Sequence, residues 1–386
     1  MFPYVVLLVV LGIGMLSEVV NLTQRTKAIV SVFVVAFCVF FCGFRYYTGS
    51  DWAMYMEAYE MMPTIGNFHR WEMGFVWLSL FFHWTGVDYH FMQAAVSCFV
   101  MVVVYCTARR YTSMPMMVFS AFVALLFNEI VMAQVRQSIA LGILVYGVRF
   151  VVERRLVLWC LAVALASQFH ISAVVAFPIF FLTIGVRRRV LLSIMAVAMI
   201  VTMFPELITN GIKVLLPILP KRLEFIATEY LKSSFFSGKT ISNTGLLFVG
   251  KFLLTVVVVL VGLWKRTGKE ENRSLWINCL VVASVVGTLA QSFMVLSRLE
   301  SYYLAIGLMS LPTLTQIKVR RVKDNVVLFV VTLLLFCYFA TPVLRTVTDK
   351  TRNELTRRER RYGLVPYNNY FIHSADAETK KDWDQK

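Results

Sequence analysis

Between two apolar segments the chain places Arg45, Tyr46, Tyr47, Thr48, Gly49, Ser50, Asp51, Trp52, Tyr55 and Tyr59, with Glu72, Gly74 and Phe75 shortly after. An arginine, two carboxylates and tyrosines beside apolar sequence suit a ligand that carries both phosphate and hydroxyl groups. Guanidinium forks match phosphate oxygens. Carboxylates accept hydrogen bonds from hydroxyls, and one of them can remove a hydroxyl proton. If Asp51 starts a short helix, Tyr55 and Tyr59 lie on one face at i+4 and i+8. Ser50 or Thr48 is then expected to cap that helix, and the positive helix end to keep Asp51 ionised. Glu72 precedes a short apolar stretch, where partial desolvation is expected to raise its pKa. That favours Glu72 over Asp51 as a general base, with Asp51 as an acceptor for sugar hydroxyls.

Further polar residues interrupt apolar sequence downstream: the Arg136-Gln137 pair, His170, Lys251, Arg298 and Tyr302. Ionisable groups inside a membrane segment are costly, so each is a functional candidate. Each also has a plainer reading. Arg45 could snorkel at a span end, and Lys251 could reach up to the interface. Arg136 could pair with Glu129 and Arg298 with Glu300. His170 could be a satisfied interior histidine. Trp52, Trp71 and Tyr46 read as interfacial anchors.

These residues must be held by helices in a bilayer. Of 386 residues, 59% are hydrophobic and 16% charged, with mean hydropathy +0.70. Apolar runs of about 15–20 residues recur throughout, the length that crosses a bilayer as helix. The fold class is therefore all-α: a polytopic helical bundle, since lipid requires every backbone group to be bonded internally. The alternating ten-residue segments of an outer-membrane barrel are absent. About twelve spans are expected, near 2–20, 28–44, 88–107, 114–134, 138–152, 156–169, 171–185, 190–204, 244–264, 274–296, 302–317 and 326–343. Residues 1–20 read as the first span rather than a cleaved signal. Residues 73–86 are expected to form a re-entrant or interfacial helix, because a crossing would carry Arg109 and Arg110 outside.

The net charge of +16 sits in short loops, which excludes a nucleic-acid-binding reading and instead orients the chain. Clusters such as Arg109/Arg110, Arg187/Arg188/Arg189 and Arg320/Arg321 fall on one side, the cytoplasm. Loops 45–72 and 205–243, the latter a large external loop, fall on the other with Arg136, His170 and Arg298. One transmembrane domain, 1–344, is expected, with a basic polar tail, 345–386, after it. Charge alone would place the tail inside, whereas the parity of the spans places it outside. The seven cysteines show no metal spacing and read as packing residues. No metal or cofactor is expected, and no phosphate-binding loop or dinucleotide fingerprint occurs.

In order along the chain, several short motifs resemble those of the EpsG/Wzy-like polysaccharide polymerases. They are Arg45, Gly49, Asp51 and Tyr55; Glu72, Gly74 and Phe75; Arg136, Gln137 and Ala140; Phe169, His170 and Ser172; and Arg298 with Tyr302. The resemblance implies a membrane glycosyltransferase of O-antigen, capsule or exopolysaccharide assembly. It would use undecaprenyl-diphosphate-linked oligosaccharide at the outer face of the bacterial inner membrane. Glu72, Asp51 and His170 would be catalytic. Arg45, Tyr55, Tyr59, Arg136, Gln137, Lys251, Arg298 and Tyr302 would bind substrate. Partners would be the lipid-linked oligosaccharide, the nascent polysaccharide, membrane lipid, and a chain-length regulator or other polysaccharide-assembly proteins. An O-antigen ligase, a glycan acyltransferase and a lipid-linked oligosaccharide flippase are the alternatives.

Overall fold

The computed structural model describes residues 2–63, 71–204, 210, 214, 217, 245–264, 272–290, 296–316, 324–348, 367 and 369–371. The expected external loop 205–243 and most of the 345–386 tail lie outside these residues. The α-helices are α1 (Phe2–Val19), α2 (Gln24–Gly43), α3 (Trp52–Met61), α4 (Met73–Trp84), α5 (Tyr89–Tyr111), α6 (Pro115–Leu125), α7 (Val135–Val152) and α8 (Leu156–Ser167). They continue with α9 (Arg188–Thr202), α10 (Gly245–Trp264), α11 (Arg273–Ala290), α12 (Ser297–Gly307) and α13 (Asp324–Thr348). No strand occurs among the described residues. Their β-type contact is an isolated antiparallel bridge between Arg45 and Asn369. The protein is an all-α, multi-pass membrane protein: among the described residues six helices are long and apolar enough to cross a bilayer, and shorter apolar helices accompany them.

Several expected spans take a different local form. The 114–134 segment is α6 continued by a π-helical turn, Phe127–Val131, in which the Met132 amide donates to the Phe127 carbonyl (2.9 Å). Such turns insert one residue and re-aim the next stretch of chain; here that is the start of α7 with Arg136. The 171–185 segment is a 3-10 helix, Ile171–Thr183, with Pro178 inside it. Proline has no amide hydrogen and clashes with an α-helical turn before it. At about 2 Å per residue this segment still rises roughly 26 Å. Helix α4 has 12 residues and rises about 18 Å, short of the roughly 30 Å hydrocarbon core. Helix α13 runs to Thr348, so the expected 344/345 boundary falls within a helix.

The chain divides into two compact units, residues 1–177 with 315–386, and residues 178–314. In the first, α5 packs against α2, α6 and α7, while α1 packs against α2, α6 and α13. The short helices α3 and α4 pack on each other and on α5. Glu18 at the end of α1 accepts from the Met116 and Met117 amides (2.7 and 3.0 Å), capping α6, whose first residue is Pro115. A carboxylate at a helix start satisfies orphan donors and opposes the dipole. In the second unit α11 packs against α9, α10 and α12.

Candidate active site

Two glycines of the first unit each lock one pair of chain segments together. Gly49 has φ +108°, a conformation that favours glycine. A Cβ there would lie 2.2 Å from the Met132 carbonyl oxygen, so the Arg45–Asp51 loop lies directly on the turn that leads into Arg136. The Gly74 amide donates to the Gln168 carbonyl (2.8 Å), and a Cβ on Gly74 would meet that oxygen at 2.7 Å. The start of α4 is thereby held against the end of α8, two residues before His170. Gly49 thus sets the first motif against the turn before the third, and Gly74 sets the second against the segment before the fourth.

Glu72, at the N-cap position of α4, is the centre of the resulting cluster. Its Oε2 accepts from Arg136 Nη1. Its Oε1 faces His170 Nδ1 at 3.3 Å and accepts from the Ile171 amide at 3.4 Å. Arg136 Nε donates to the Tyr55 hydroxyl (3.4 Å), and the guanidinium lies over the Trp71 ring at 4.6 Å. The Glu72, Arg136 and His170 side chains are 20%, 19% and 12% exposed, so the cluster is mostly withdrawn from water without being sealed. His170 Nε2 is buried with no hydrogen-bond partner. Buried polar atoms are nearly always bonded, so such an exception requires an explanation.

The expected rise in the Glu72 pKa is corrected here. Burial pushes the carboxyl up, but the His170 hydrogen bond and the Arg136 charge outweigh it and hold the group at about 2. An acid that strong is a poor general base near neutral pH. Burial pushes the Tyr55 phenol up, so that group stays protonated.

The other predicted residues take supporting places or lie in the second unit. Arg45 is 2% exposed, and its Nη1 donates to the Cys42 carbonyl. Its own carbonyl accepts from Trp52 Nε1 (3.2 Å) and Gln93 Nε2 (3.1 Å), so it braces the loop from inside. Asp51 is the N-cap residue of α3 but its side chain makes no cap bond, and Thr48 Oγ1 turns back to the Tyr46 carbonyl (2.9 Å). The N-cap position is thus taken by Asp51 rather than by the expected Ser50 or Thr48. Tyr55 and Tyr59 are both buried. The Tyr59 hydroxyl donates to the Val87 carbonyl, and its ring helps to line a 380 Å³ cavity with Glu60, His83 and Asp88, apart from Glu72. Gln137 is buried beside Arg136 in sequence. Lys251, Arg298 and Tyr302 belong to the second unit. There Lys251 Nζ donates to Glu300 Oε1 (2.8 Å), Arg298 is exposed and Tyr302 is buried. Arg136 pairs with Glu72; the side chain of Glu129, its expected partner, lies outside the described residues.

Two tryptophans contribute more than their sequence context suggests. Trp71, expected as an interfacial anchor, covers the Arg136 guanidinium; its signal in the sequence is adjacency to Glu72. Trp52, also expected as an anchor, is 1% exposed and packs against Tyr46, Tyr47 and His90. No group of three or more potential metal ligands occurs among the described residues.

A multi-pass helical protein here gathers a carboxylate, an arginine and an imidazole beside a short helix, a set able to bind an anion and move a proton. The EpsG family model matches residues 28–368, and the chain belongs to the EpsG family. Membership carries a membrane polysaccharide-polymerase-like function. No curated protein and no solved structure matches the chain.

Proposed function

We propose that the protein is a glycan polymerase that joins undecaprenyl-diphosphate-linked repeat units at the outer face of the bacterial cytoplasmic membrane. The observation that carries this reading is Glu72 bonded at once to Arg136 and His170, in a chain of this family. Glu72 accepts from His170 Nδ1–H, which fixes the tautomer and leaves the Nε2 lone pair free. That nitrogen takes the proton of an acceptor sugar hydroxyl. The hydroxyl oxygen forms a bond to the anomeric carbon of the donor glycan, and the carbon–oxygen bond to the diphosphate breaks. The diphosphate leaves with the bonding electrons. Arg136 commits Nη1 to Glu72 and Nε to Tyr55, and its Nη2 edge meets the departing charge. Glu72 is thus a positioning residue and His170 the base. Arg45 holds the loop, and Asp51, partly exposed at the head of α3, accepts sugar hydroxyls. The step needs neither Lys251 nor Arg298.

The test uses purified protein and lipid-linked repeat units from the producing strain. His170→Ala should lower the polymerisation rate by about two to four orders of magnitude, the usual size of a general-base effect. A strain without the gene should hold single repeat units on the lipid in place of long chains. A His170→Ala enzyme within a few-fold of wild type removes His170 as base. Long chains in the deletion strain would overturn the polymerase reading itself.

A further inference from the structure

The parity of the spans and the positive-inside rule give opposite sides for the C-terminal tail, and neither gives it a task. The described part of the tail is seated on the first unit by contacts of several kinds. The Tyr367 ring stacks on Phe41 (4.3 Å between centroids, 11° between planes) and meets Tyr4 edge-on at 5.7 Å. Its hydroxyl donates to the Phe41 carbonyl (2.6 Å). Asn369 is buried and forms the bridge with Arg45. The Tyr370 amide donates to the Phe44 carbonyl (2.7 Å), its ring lies 4.3 Å from His90, and its hydroxyl donates to Asp88 Oδ2 (3.2 Å). Phe371 stacks on Phe40 with 6° between planes. Offset and edge-to-face ring pairs add to the gain from burial, and here they coincide with main-chain pairing and a carboxylate contact.

We infer that Tyr367 and residues 369–371 form a strap on the same membrane face as loop 45–51, and that Tyr367 and Tyr370 are positioning residues for that loop. The mechanical path is short. The strap pairs with Arg45, whose carbonyl holds Trp52 at the start of α3. Helix α3 carries Tyr55, which bonds Arg136. His90, against which Tyr370 lies, also packs on Tyr46 and Trp52. The far end of α5, with Arg109, is about 30 Å away along the helix at 1.5 Å per residue, so the two faces are distinguishable. The inference does not depend on the ligand's being a glycan.

The experiment uses the full chain with its native cysteines replaced, and a membrane-impermeant maleimide on intact cells. Phe371→Cys should label together with Glu57→Cys, an exposed position of α3, and opposite to Arg109→Cys. Labelling of Phe371→Cys together with Arg109→Cys overturns the seating. Thr48→Cys then reports loop order, since Thr48 is fully buried. Its labelling should be at least about tenfold faster when the chain ends after residue 366, as expected for the loss of several ring contacts. Tyr370→Ala in the full-length chain should give a smaller increase in the same direction, which covers the case where the shortened chain fails to reach the membrane. Unchanged Thr48→Cys labelling in the Tyr370→Ala chain overturns the positioning role. Loss of polymer without faster labelling would do the same while leaving the catalytic reading intact.

Discussion

The Glu72 cluster of the first unit and the Lys251–Glu300 pair of the second are both carboxylate–cation contacts in a greasy protein, and they are built differently. Glu72 uses both oxygens on three donors contributed by two other segments of the chain. Glu300 places one oxygen on Lys251 and lies flat on Gly287, where an added Cβ would sit 2.7 Å from Cδ. The Glu72 side chain is 20% exposed and that of Glu300 10%. The first is an arrangement that a ligand can enter and redistribute. The second has the form of a lock between helices, and removal of one member leaves the other charge stranded at a cost of several kcal/mol. A charge in a membrane helix is therefore no sufficient sign of a site; the number of elements that converge on it is more informative.

The largest effect that separates the two regions should come from Arg136. Arg136→Lys keeps the charge but loses the planar fork over Trp71 and the pair of directed bonds to Glu72 and Tyr55. Losing one such charge-assisted bond, at about 1.5–3 kcal/mol, lowers the rate roughly ten- to a hundredfold. Measured polymer synthesis near the wild-type rate would reduce Arg136 to a structural charge like Lys251. Next come the glycines. Gly74→Ala forces a Cβ into the Gln168 backbone carbonyl, which cannot swing aside, so both activity and thermal stability should fall. Gly287→Ala meets only the movable end of Glu300, so it should cost stability in a melting assay and little activity per folded molecule. Equal activity losses in the two variants would erase the distinction.

Lys251→Met sharpens it further. It leaves Glu300 buried and unpaired, with an expected loss of about 3–5 kcal/mol of stability if that charge persists. Lys251→Met combined with Glu300→Gln should recover much of that loss, as read by thermal unfolding in detergent. The smallest expected effect is in pH dependence. Folding holds Glu72 at about 2, below the ordinary glutamate value of about 4.3. A depressed folded-state pKa gives stability that is present above about pH 4.3 and lost as pH falls toward 2. Glu72→Gln should flatten that portion of the stability curve, and the wild-type rate profile should show no inflection in the carboxylate range.

The residues that belong together are legible in the sequence as types: an arginine, a carboxylate, a histidine and two motif glycines stand out against apolar surroundings. Their pairing is not. Glu72 lies 64 residues from Arg136 and 98 from His170, and nothing local distinguishes Glu72 from Glu129 as the arginine's partner. The sign of the Glu72 shift escapes for the same reason, because desolvation can be read from neighbouring sequence whereas distant countercharges cannot. Arg45 shows the converse. A basic residue at a span end suggests an outward reach, yet its neighbours Trp52 and Gln93 close over its backbone and the guanidinium turns inward. Helix type is also hidden. Apolar length announces a segment at 171–185, but its 3-10 winding comes from Pro178 and from packing.

The cluster at Glu72 has a consequence in charge balance. The Glu72 carboxylate and the Arg136 guanidinium offset each other, which lowers the ionic penalty of placing either near lipid. In the reaction proposed above, an incoming diphosphate would upset that balance by bringing more negative charge than Arg136 alone can answer. In that proposed reaction the hydroxyl proton would pass to His170 as the diphosphate gains its extra negative charge, so the two new charges would arise together. In the proposed step bond formation leaves the net charge of the pocket unchanged but sets a cation beside the departing diphosphate, and departure of that anion would be tied to the return of the proton to water.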